Sequence, residues 1–61
     1  MLLLHEVYSS ENIKPILINI DNVISISKGA VNTIVNCVNN RTYIVKESII
    51  EIYKKLNGEY L

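Results

Sequence analysis

Tryptophan and phenylalanine are absent from this 61-residue sequence, and cysteine, histidine and proline occur once each. A lone cysteine, Cys37, excludes a disulfide within the chain. Cys37 and His5 together fall short of the four ligands that a structural zinc site takes, so neither a metal nor a cofactor is expected. Glycine occurs only at Gly29 and Gly58, which excludes a glycine-rich phosphate loop. Neither sign of charge dominates: six basic and six acidic side chains leave a formal net charge of +0. Nucleic-acid binders draw affinity from a basic excess that displaces counterions from phosphate, so this balance argues against a nucleic-acid partner. No apolar run approaches the roughly 20 residues of a membrane span. The opening MLLLHEVY is too short, and reaches Glu6 too soon, for a secretion signal. A cytoplasmic protein with no membrane insertion is expected.

What the sequence does have is apolar surface. Hydrophobic residues make up 49% of it, yet a chain this short buries only about 60% of the surface its unfolded form exposes. With no covalent staple or metal to compensate, association with further copies is the expected remedy.

The chain reads as one domain, residues 1–61, without repeat or linker. Leu2 to Tyr8 is an apolar strand that ends at the turn formers SSEN. Pro15 opens a second strand, PILINI, a position where a missing N–H leaves no gap in the ladder. After the Asp21–Asn22 kink, Ile24 and Ile26 alternate with Ser25 and Ser27. Gly29 breaks the pattern. In VNTIVNCV, Val31, Thr33, Val35 and Cys37 share one face. Asn39–Asn40 suits a two-residue type I′ turn, and RTYIVK returns as the partner strand. Ser48 and Glu51 have the spacing of a capping box. Ile49, Ile52, Tyr53 and Leu56 follow at helical spacing, Lys54 and Lys55 complement the last turn, and Asn57–Gly58 supplies the stop. The fold class is therefore α+β: a small antiparallel meander of four to five strands closed by one C-terminal helix over residues 48–57.

Catalysis requires an oriented set of reactive groups, and the candidates each have a plain structural reading. His5 reads as a partly exposed strand residue, and Cys37 as a buried small hydrophobe. Glu47 and Glu51 read as helix-start carboxylates. No catalytic residues are assigned, and the chain is not expected to be an enzyme. Tyr43 and Tyr53 read as core or subunit-interface residues, and Tyr60 as one that packs on a neighbouring copy. Both faces of PILINI and VNTIVNCV carry apolar side chains, but one helix covers one face only. The working form is thus expected to be a homo-oligomer, a dimer or a ring. Its contact is placed on Leu2, Leu4, Ile16, Ile18, Val35 and Tyr43. Repetition of Tyr or Asn side chains about the axis leaves room for a small ligand of unspecified kind.

INIDNVISI at 18–26 and TIVNCVNNRTYIVKESIIEI at 33–52, with the apolar start, resemble the FlbD-type flagellar and swarming-motility family. The match runs through Asn19, Asp21, Val23 and Ile26, then Tyr43, Val45, Lys46, Glu47, Ser48 and Glu51. VKES is its most specific piece. An Asn-Gly turn is replaced here by Asn39–Asn40, and SSENIKPI is longer than that family's first turn. The resemblance implies a role beside a bacterial motor or host protein, and many relatives of this type look phage-borne. It carries no functional residues over. IDNVISISKG with NRTYIVKESIIEIYKKL is also similar to the first half of the LytTR-type DNA-binding domain. Three readings stay open: a non-catalytic interaction module, a phage-encoded inhibitor that grips a host protein or sequesters a small ligand, and a LytTR-like regulator.

Overall fold

The computed structural model describes residues 1–58, so Tyr60 lies outside the described residues. Among these the chain forms five strands and one α-helix: β1 (Leu2–Val7), β2 (Ile13–Ile18), β3 (Val23–Lys28), β4 (Thr33–Cys37), β5 (Arg41–Val45) and α1 (Ile49–Leu56). A 3-10 turn, Ile20–Asn22, joins β2 to β3. Every pairing is antiparallel, in one sheet ordered β2-β1-β5-β4-β3. The architecture is the α+β sheet with a C-terminal helix that the alternation predicts. One departure from a simple meander is that β1 sits between β2 and β5.

The turns follow from local chemistry. Asn39 and Asn40 hold φ of 62° and 59°, the left-handed pair that a type I′ hairpin needs. At Gly29 a Cβ would lie 2.7 Å from the Asn32 carbonyl oxygen, and the Gly29 N–H donates to that same oxygen. Only glycine lets the β3–β4 turn close this tightly. Ser48 caps α1 by accepting from the Glu51 N–H at 3.1 Å, and the Glu51 carboxylate returns to the Ser48 N–H. At the other end Gly58 takes φ 71° and donates to the Lys55 carbonyl, which terminates the helix.

The two edge strands, β2 and β3, are consecutive in the chain. Four strand spacings in a flat sheet would separate them by about 19 Å. The Ile18–Val23 link, compacted by its 3-10 turn, spans only about 13 Å. The sheet therefore curls. Its concave side holds the core: Leu2, Leu4, Ile18, Val35, Cys37 and Val45 of the strands, with Ile52 of α1 pressed among them. Leu4, Val35, Val45 and Ile52 are fully enclosed.

Ile52 is the helix residue that the core swallows whole. Tyr53 is 63% exposed, and Ile49 and Leu56 are each 40% exposed. The apolar stripe read along the helix is thus only partly used by this chain. An eight-residue helix is about 12 Å long, and against a curled sheet it lays down one row of contacts.

Candidate functional site

The face assigned to a partner is the one that α1 covers. Leu2, Leu4, Ile18 and Val35 lie inside the chain's own core, and Ile16 and Tyr43 are partly buried against it. None of these six presents a free surface of the kind a dimer contact needs. The physical reason is that both faces of these strands are apolar, so alternation alone does not say which one the helix selects. The uncovered surface is the opposite, convex face.

Its geometry follows from the registers. Val7 pairs with Ile13, Ile44 pairs with Ile34, and the Glu6–Val45 pairing sets Val7 beside Ile44. Ile13, Val7, Ile44 and Ile34 therefore form a continuous apolar row across four strands. Leu3 and Leu17, directly opposed, extend it toward the other end of β1 and β2. Leu17 is 66% exposed, and Leu3, Ile13 and Ile44 are all more than two-fifths exposed. Cross-strand neighbours at such spacing make one surface rather than scattered side chains. This row is apolar surface that α1 leaves uncovered.

The polar groups are arranged differently. Beyond Val45 the chain leaves the sheet for α1, so the first half of β1 loses its neighbour on that side. Side chains stand in for the missing strand. The Glu47 carboxylate accepts from the His5 backbone N–H at 2.9 Å and meets the His5 ring Nδ1 at 2.7 Å. The Lys55 ammonium donates to the Leu3 carbonyl oxygen at 2.9 Å and lies 4.0 Å from Glu47. The Lys46 N–H donates to the His5 carbonyl oxygen between them. Glu47, rather than acting at the helix start beside Glu51, is thus a buried staple between β1 and the β5–α1 junction. Burial pushes its carboxyl up, but the hydrogen bonds from the His5 ring and backbone and the charge of His5 outweigh that. The net position is below the ordinary carboxylate range.

Cys37 is buried among apolar neighbours, and desolvation raises its thiol, which keeps it protonated and weakly nucleophilic. Among the described residues no three His, Cys, Asp or Glu side chains converge as metal ligands would, and no helix is long and apolar enough to cross a membrane. His5 and Glu47 do meet, which sequence spacing did not reveal. The available signal was a single histidine in an apolar strand and a glutamate placed one residue before the cap. No family model, curated protein or solved structure matches the chain.

Proposed function

We propose that the chain is a non-catalytic interaction module that works as a homo-oligomer, joined through the convex face of its sheet. The observation that carries this reading is the apolar row Ile13–Val7–Ile44–Ile34 with Leu3 and Leu17 beside it. A second copy is the favoured occupant for two reasons. Zero net charge means that bringing like chains together carries no overall repulsion. A 61-residue chain also gains most where its own core is smallest, and a shared face enlarges the core of both copies. A two-fold axis through the row sets each apolar side chain against its symmetry mate, the isologous arrangement of most small dimers.

The FlbD-type resemblance supports a bacterial setting in the cytoplasm, with a host or motor protein as the ultimate partner. Light scattering after size exclusion at micromolar concentration tests the reading. The expected mass is at least twice the 7.0 kDa of one chain. Ile44→Lys combined with Leu17→Lys is expected to return the mass to that of one chain without loss of the circular dichroism spectrum. A wild-type mass of 7.0 kDa would refute self-association.

A further inference from the structure

At one end of the sheet, the β3–β4 turn and the start of α1 enclose an open cleft of about 280 Å³. Its apolar walls are Val31 on the turn and Ile49 and Ile50 on the helix. Val31 is 89% exposed and Ile50 66%, so both rims present bare hydrophobic tips. Lys28 and Lys46 flank the cleft, and among the described residues no carboxylate lines it. Elsewhere Lys14 approaches Glu6 at 3.8 Å and Lys55 approaches Glu47 at 4.0 Å. Among the described residues Lys28 and Lys46 form no such ion pair. Two positive charges with no ion pair thus stand on either side of one apolar trough.

We propose that this cleft is a docking groove for an acidic segment of a partner protein, one that carries a leucine-like side chain between carboxylates. The apolar side chain seats between Val31 and Ile50, and the flanking carboxylates face Lys28 and Lys46. Charge complementarity selects this occupant over the alternatives. Among the described residues a second copy offers Glu11 and Asp21 as exposed carboxylates, but each stands alone in a tight turn and neither faces a second carboxylate across an apolar side chain. Glu6 and Glu47 already face lysine or histidine, and Glu51 closes the helix cap. A nucleic-acid backbone has the charge but no apolar group for the Val31 and Ile50 rims. The inference deepens the interaction-module reading and rests on it, since it names the chemistry of the partner.

The test is fluorescence anisotropy with two labelled peptides, one alternating glutamate and leucine and one alternating lysine and leucine. The acidic peptide is expected to bind and the basic one not to. Lys28→Glu with Lys46→Glu should weaken binding at least about tenfold, as charge reversal at a complementary contact does. Ile50→Ser should weaken it separately. All three side chains are exposed, so these changes leave the fold intact. Raising salt from about 50 to about 500 mM should also loosen the complex, through screening. Equal binding of both peptides, undiminished binding by the double variant, or displacement by a single-stranded oligonucleotide would each overturn the groove. So would a change of oligomeric mass in the double variant, which would make the cleft a contact between copies. Mass and anisotropy keep the two readings apart. An intact oligomer that ignores the acidic peptide overturns the groove alone. A 7.0 kDa chain that binds it supports the groove while overturning self-association.

Discussion

Glu47 is a carboxylate withdrawn from water and answered by one ring nitrogen, one backbone N–H and one ammonium. Its removal leaves the part-buried His5 N–H without its partner. Glu47→Ala is therefore expected to cost about 1–3 kcal/mol in chemical denaturation, and Glu47→Gln, which keeps an acceptor oxygen, less. The pH dependence has a definite sign. A carboxyl depressed in the folded state contributes stability that is fully present above its unfolded value of about 4.3 and fades as pH falls through the lower folded value. Thermal melts from pH 7 downward should decline at the acid end, and Glu47→Gln should flatten that decline. An unchanged profile in the variant would remove the staple from the account. This residue also marks the limit of what sequence alone reveals. Ser48 and Glu51 sit three apart and declare a helix start at once. Glu47 finds His5 across 42 residues, and beside a helix cap it has a local explanation ready that hides the distant one.

Strands and turns were the legible elements because their rules are local. Period-2 alternation marks β3, β4 and β5, and the doubled asparagine marks the hairpin between the last two. That turn makes its own prediction. Asn40 holds φ 59°, so Asn40→Gly should be neutral or stabilising. Asn40→Val should cost about 1–2 kcal/mol, the penalty of a side chain held left-handed. Comparison of the two denaturation midpoints settles it. The helix was legible in its ends and less so in its burial. Its apolar spacing is sound, yet only Ile52 is enclosed. Ile52→Ala is expected to cost about 2–5 kcal/mol, whereas Tyr53→Ala, at an exposed position, should change stability far less. The choice of sheet face was not legible, because Leu2 and Leu3, or Leu17 and Ile18, are equally apolar neighbours pointing opposite ways. What decides between them is where α1 lands, a tertiary fact with no period of its own.

At the scale of the whole molecule, balanced charge sets the outer behaviour. Duplex DNA is expected to bind weakly near 150 mM salt, because little counterion release accompanies contact with a neutral chain. Submicromolar retardation in a gel at that salt would return the LytTR-like reading to the front. The sheet order has a further consequence, in time rather than in space. Of the five described strands β1 is made first, and β2 can zip onto one side of it as soon as it follows. Its other side has to wait for β5 and then for Lys55, whose bond to the Leu3 carbonyl closes a loop of 52 residues. Until Lys55 has been made, a hairpin rich in leucine and isoleucine stands with one seam open. Exposed apolar surface and an unpaired strand edge of this kind favour mispairing with another nascent chain. The strand made first is the one finished last, and crowding on a polysome is where that delay would tell.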